Sequence, residues 1–150
     1  MPRPKFVVRH FLACLAAPWE GTPGPDTHRT LESVGYRYPV PPDTEFPTEL
    51  AFWLYARFYV TGGGDGFGRF SVEVYWQDAP EGERRVGRWV FGRVRLTVSR
   101  PVTSTAWPVG PVSFPGEGRY EFRLTRTVRR MWGVEERRIA SEYVELQRSP

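Results

Sequence analysis

Two histidines and one cysteine are the residues in this chain best suited to metal or thiol chemistry, and their spacing decides little in favour of either. His10 and Cys14 would be neighbours on a helix, where they could ligate a metal or act as a nucleophile with its base. On a strand they sit about 13 Å apart, out of contact. His28 is the other histidine, and no second cysteine completes a Cys/His site or an intramolecular disulfide. Asp26, His28, Ser33 and Ser71 form no Gly-x-Ser-x-Gly elbow. Thr61 to Gly68 reads TGGGDGFG, but it lacks the Gly-Lys-Ser/Thr ending of a phosphate-binding loop and joins two strand-like runs. Its glycines suit the tip of a hairpin. The carboxylates fall in turns or beside arginines, where they are solvated rather than paired for acid–base work. The expectation is therefore no catalytic residues, no metal and no cofactor.

Composition narrows the class further. The chain has 150 residues, the size of one domain, and 15% of them are aromatic. Ring-rich chains of this length pack sheets more often than helices. Its net charge is +4, and Lys5 is the one lysine among 21 basic residues. Seventeen acidic residues are interspersed with them, as in Glu81 to Arg85 and Glu135 to Arg138, so no long basic stripe offers itself to nucleic acid. No run approaches the roughly 20 apolar residues of a membrane helix. Arg9 and His10 interrupt the apolar opening and leave a poor secretory signal. A cytoplasmic location and the absence of membrane or nucleic-acid partners are expected.

Alternation of apolar and polar residues supplies the elements. Lys5 to Ala16 is apolar on both faces, as a central strand would be, although Phe11 to Ala17 could also form a short helix. Seven prolines between Pro18 and Pro47 break regular structure there, leaving room for one short strand from Leu31 to Tyr38. Phe52, Leu54, Ala56, Phe58 and Val60 point one way; Trp53, Tyr55, Arg57 and Tyr59 point the other. Phe70, Val72, Val74 and Trp76 alternate with Ser71, Glu73 and Tyr75, and the two runs read as a hairpin. A third strand places Val90, Val94, Leu96 and Val98 inside and Trp89, Phe91, Arg93 and Arg95 outside. A proline-containing stretch, Ser99 to Gly118, leads to Tyr120, Phe122 and Leu124 on the next inner face. The last hairpin turns near Trp132 and Gly133 and returns through Ile139 to Leu146. About seven to eight strands with regular turn signals predict an all-β fold: one antiparallel β-sandwich domain spanning residues 1–150.

The runs FVVRHFLAC, YPVPPDTEFPTELAFWLYARF, FPGEGRYEFRL and SEYVEL together resemble a loose group of small, uncharacterised bacterial β-sandwich proteins. Phe114, Pro115, Gly116, Gly118, Tyr120 and Phe122 look like the turn and strand leading into that group's last hairpin. The resemblance implies the fold and brings no activity, cofactor or functional residue with it.

One surface stands out. Pairing the first hairpin in a register that sets Tyr55 opposite Tyr75 and Arg57 opposite Glu73 would assemble Trp53, Tyr55, Arg57, Tyr59, Tyr75, Trp89 and Arg93 into one aromatic and arginine face. The expectation is a binding domain that uses this face for a protein partner or for self-association. The alternatives are a carbohydrate-binding module and, after it, a small β-barrel enzyme. Residues 18–47 could also cover the face. Replacing Cys14 and His10 together by alanine is expected to leave any binding intact, and metal analysis of the purified protein to show no bound zinc. Stoichiometric zinc that those substitutions remove would contradict the assignment.

Overall fold

The computed structural model describes residues 5–14, 37–61, 66–96 and 102–150. They form eight strands: β1 (Lys5–Cys14), β2 (Arg37–Val40), β3 (Thr48–Thr61), β4 (Gly66–Trp76), β5 (Arg84–Leu96), β6 (Val102–Phe114), β7 (Gly118–Arg130) and β8 (Gly133–Arg148). Two sheets result, a three-stranded one in the order β1-β3-β6 and a five-stranded one in the order β2-β8-β7-β4-β5. The fold is all-β and sandwich-like. All pairings are antiparallel except that of β2 with β8.

Alternation correctly assigns the inner faces of β3, β4 and β7. Phe52, Leu54, Ala56 and Phe58 are fully buried, as are Val72, Val74, Tyr120, Phe122 and Leu124. Phe52 is the hub of one end of the core. Its ring meets Tyr38 at 5.0 Å, Phe122 at 5.6 Å and Phe114 at 5.8 Å, all edge-on. At the other end Trp107 stacks flat on Phe91 at 4.5 Å and touches Phe58 and Phe70. Tyr120 forms a tyrosine corner: its hydroxyl donates to the Gly116 carbonyl at 2.6 Å, tying the β6–β7 turn to the start of β7. Burial pushes that hydroxyl's pKa up to about 12.

Strand neighbours differ from the sequence reading. β3 and β4 do not form a hairpin; they belong to opposite sheets whose inner faces meet across the core. Tyr55 therefore lies opposite Leu12 and Ala106, and Arg57 opposite His10 and Ser104. Tyr75 lies opposite Arg85 and Glu121, and Glu73 opposite Arg88 and Arg123. Alternation fixes which face a residue takes, and two facing sheets satisfy it as well as one hairpin does.

Three further elements are corrected. β1 is an edge strand, not a central one. The stretch read as a proline-containing connection is strand β6, which accommodates Pro108 and Pro111 because it too is an edge. Gly110, at φ 121°, takes up the extra β6 residue opposite Ala51 as a bulge. In β5, the pairing steps from Arg69↔Arg93 to Ser71↔Val90, so Phe91 and Gly92 together face Phe70. That bulge inverts the phase: Val90 is 72% exposed, whereas Trp89 and Phe91 pack against the core. Val94 is buried as expected.

Residues 1–4 and 15–36, with His28, Asp26, Ser33 and the greater part of the proline-rich stretch, lie outside the described residues, as do 62–65 and 97–101 and the side chains of His10 and Cys14. The Leu31–Tyr38 strand is described from Arg37 onward, as β2.

Phe52→Ala is expected to destabilise the protein by about 3–5 kcal/mol in urea unfolding, because it empties the hub of the core. Val90→Thr is expected to change stability by no more than about 0.5 kcal/mol. A large loss from the second substitution would restore the inward phase for Val90.

Candidate functional site

The seven residues predicted to share one face are divided by the sandwich. Trp53, Tyr55, Arg57 and Tyr59 line the outer face of the three-stranded sheet, at successive outward positions of β3. Tyr75 and Arg93 lie on the outer face of the five-stranded sheet, on the far side of the molecule. Trp89 turns inward and folds over Gly87, where a Cβ would collide with its ring. The single platform is therefore replaced by two unlike surfaces.

On the five-stranded sheet the outward side chains are engaged with one another. Tyr75 donates a 2.6 Å hydrogen bond to Glu73, which also faces Arg85 at 3.5 Å. Arg123 lies 3.8 Å above the Tyr75 ring and binds both Glu121 and Glu83. Arg119 lies 4.0 Å above the Tyr143 ring, and Arg138 reaches Glu121. Arg88 pairs with Glu136 at 2.9 Å across the sheet. Glu121 is the centre of this lattice and is only 4% exposed. Burial pushes its carboxyl up, but Arg123, the Tyr143 hydroxyl and Arg138 outweigh burial and hold it below the ordinary value. The Tyr75 hydroxyl, aided by Arg85 and Arg88, lowers Glu73 in the same way against the opposing effect of burial. Each tyrosine is raised in return, chiefly by the carboxylate it binds.

A cleft of about 220 Å³ opens on this face between Arg37, Arg119, Tyr143, Val144 and Glu145. Its charged groups are already committed, Arg37 to Glu145 at 3.8 Å and Arg119 to the Tyr143 ring. A separate apolar spot lies at the β7–β8 turn, where Met131, Trp132 and Val134 are 99%, 83% and 65% exposed. Among the described residues no group of three His, Cys, Asp or Glu could hold a metal ion. None of the described residues forms a helix long and apolar enough to cross a membrane.

The three-stranded sheet presents a different chemistry. Along β3, Trp53, Tyr55 and Tyr59 are half-buried and Arg57 is exposed. The adjoining outward positions of β6 are Val102, Ser104, Ala106 and Pro108, short side chains beside tall rings. Tyr55 is anchored there by a 3.1 Å hydrogen bond between its hydroxyl and that of Ser104. Arg57 has no ion pair or hydrogen bond among the described residues. The row continues toward the start of β3 through Ala51 and Glu49, both exposed. The sequence reading stopped short of these two, although unbroken alternation from Glu49 onward would have included them. The β6 positions escaped notice because prolines argue against a strand wherever its edge status is unknown.

No protein-family model and no curated protein matches this chain. Among solved structures it resembles the β-D-glucoside glucohydrolase of Trichoderma reesei, with a TM-score of 0.49 and 8% identity over 95% of this chain. The chain spans 19% of that enzyme.

Because the carboxyl of Glu121 is lowered in the folded protein, its contribution to stability is complete above its unfolded pKa, near 4.5, and disappears as pH falls through the lower folded value. Glu121→Gln is expected to cost roughly 1–3 kcal/mol at pH 7. The gap between variant and wild type should narrow below about pH 4.5. Urea melts at pH 7, 5 and 3 test this, and a gap that persists unchanged at pH 3 would contradict it.

Proposed function

We propose that this domain is a non-catalytic binding module whose working surface is the outer face of the three-stranded sheet, and that it binds a protein. One contrast carries the reading. The outward face of the five-stranded sheet is a lattice of charged pairs, whereas β3 carries three half-buried rings, Trp53, Tyr55 and Tyr59, and an exposed arginine, Arg57, with no carboxylate partner among the described residues. A sheet whose inner face builds the core normally shows polar residues on the other, so a row of half-buried rings there is apolar surface prepared for cover. Trp, Tyr and Arg are also the residues in which interface energy concentrates: the rings remove much area from water with little entropy loss, and the guanidinium offers a planar fork of donors that can also stack on rings.

Tyr75, Trp89 and Arg93 do not belong to this surface. Tyr75 serves the charged lattice, Trp89 the core and Arg93 the opposite face.

A photo-cross-linking amino acid at Ala51, beside the rings and outside them, tests the proposal in the cell of origin. A discrete cross-linked protein product is expected, and Trp53→Ala should abolish it while shifting the melting temperature by only a few degrees. The absence of any product, or a loss of stability from Trp53→Ala as large as that from Phe52→Ala, would return these rings to a structural role.

A further inference from the structure

The two ends of the sandwich differ in charge. Connections 41–47, 77–83 and 115–117 meet at one end. They carry Asp43, Glu45, Asp78, Glu81, Glu83 and Glu117, all exposed, and no basic residue. At the other end β5 and β7 finish, β4 and β8 begin, and the balance reverses. Arg69, Arg93 and Arg95 are exposed there, and Arg129 and Arg130 are the last residues of β7. The carboxylates of that end among the described residues are Glu135 and Glu136, which pair with Arg137 and Arg88. A whole-chain charge of only +4 conceals this polarity.

The basic end also bears the apolar tip of the β7–β8 hairpin. Arg130↔Gly133 is the last pair of the two strands, so Met131 and Trp132 form the loop between them. Two-residue hairpin loops favour Asn, Asp and Gly, which suit the turn and water alike. Here the loop residues are the most exposed large apolar side chains among the described residues, Met131 at 99% and Trp132 at 83%, with Val134 beside them at 65%. A Cβ at Gly133 would meet nothing within 4 Å, so the tip stands clear of the rest of the domain. We propose that this end docks on an anionic lipid bilayer, with the Met131–Trp132 loop in the interface and the arginines behind it at the lipid phosphates. The site is separate from the β3 surface and does not rest on it.

Spacing along the strands fits the layering of a bilayer. Arg129 and, across the sheet, Arg95 lie about 7 Å behind Met131, and Arg69 and Arg93 about 13 Å. Amphipathic elements on a bilayer bury their apolar part about 5–10 Å deep. That depth carries Met131 and Trp132 past the headgroups and leaves the level of Arg129 and Arg95 at the phosphates. Tryptophan favours this interface, where its ring is half in hydrocarbon and its N–H is wet. Backbone pairing continues to Arg130 and Gly133, so little unpaired backbone enters with the loop, and the cost of taking it deeper confines the tip to the interface. The acidic end, repelled by the same leaflet, sets the long axis of the domain upright on it. Nucleic acid would answer to the same charge, but it is held by rings laid out along a groove or sheet. A single ring grouped with a thioether and a valine at one tip suits apolar insertion instead.

Co-sedimentation of the full chain with vesicles tests the proposal, using phosphatidylcholine alone and phosphatidylcholine mixed with phosphatidylserine. The wild type is expected to sediment with the mixed vesicles, and less so as salt is raised. Met131→Ser combined with Trp132→Ser should lower that partition at least about tenfold, and Arg129→Glu combined with Arg130→Glu should do the same. Melting temperatures within a few degrees of wild type are expected for both variants, because the tip makes no part of the core. In a Cys14→Ala background, an environment-sensitive dye attached through Met131→Cys should brighten and shift to the blue on the mixed vesicles. No sedimentation with those vesicles, binding that the paired serine substitutions leave unchanged, or a dye spectrum that vesicles do not alter overturns the proposal. A gel shift of single- or double-stranded DNA without vesicle binding also overturns it and assigns the basic end to nucleic acid.

Discussion

The contact between Phe52 and Phe122 joins the middle strands of the two sheets, and the remainder of the sandwich is arranged around it. Phe52 on β3 is fully buried and holds Phe122 on β7 at 5.6 Å, with Tyr38 from β2 and Phe114 from β6 against its other sides. Tyr120, two residues before Phe122, closes the corner through the Gly116 carbonyl. With one cysteine the chain can place no intramolecular disulfide between the sheets, and packed rings hold this part of the core. The contact also fixes the phase of β3: once Phe52 is inside, Trp53, Tyr55, Arg57 and Tyr59 must be outside.

The two outer faces answer the same physical demand in different ways. Outward groups on a sheet need solvent or partners, and the five-stranded sheet supplies partners from its own strands. Arg123 illustrates this. It stacks on Tyr75 and binds Glu121 and Glu83 from three neighbouring segments of chain. A surface bound so fully to itself has little chemistry left for a ligand. The arginines of β5 also discourage another sheet from adding to that edge, as the prolines of β6 do on the opposite sheet. The β3 row differs in kind: its rings are half-buried, and its charged residues, Glu49 and Arg57, are exposed and separated along one strand.

Much of the architecture was legible in the sequence because burial has a simple period in a strand. The inner residues of β3, β4 and β7 follow from alternation alone, and the turn at Trp132 and Gly133 follows from its glycine. Phase failed where a bulge intervened. Nothing in the run from Arg88 to Val94 announces that Phe91 and Gly92 will share one partner, so Val90 was placed inside and Trp89 and Phe91 outside. β6 was missed for a related reason: prolines are excluded from a central strand and tolerated at an edge, and a sequence does not say which strand is the edge.

The sequence by itself determined the all-β class and the side of β3 on which Trp53, Tyr55, Arg57 and Tyr59 stand, since both depend on local periodicity. Only the tertiary structure decided which strands are neighbours. Alternation is satisfied equally by a β3–β4 hairpin and by two sheets facing one core, and the choice between them rests on contacts such as Phe52 with Phe122, some 70 residues apart in the chain. That choice moved Tyr75 and Arg93 to the far face, drew Trp89 inward, and left Trp53, Tyr55, Arg57 and Tyr59 alone of the seven on the outer face of the three-stranded sheet.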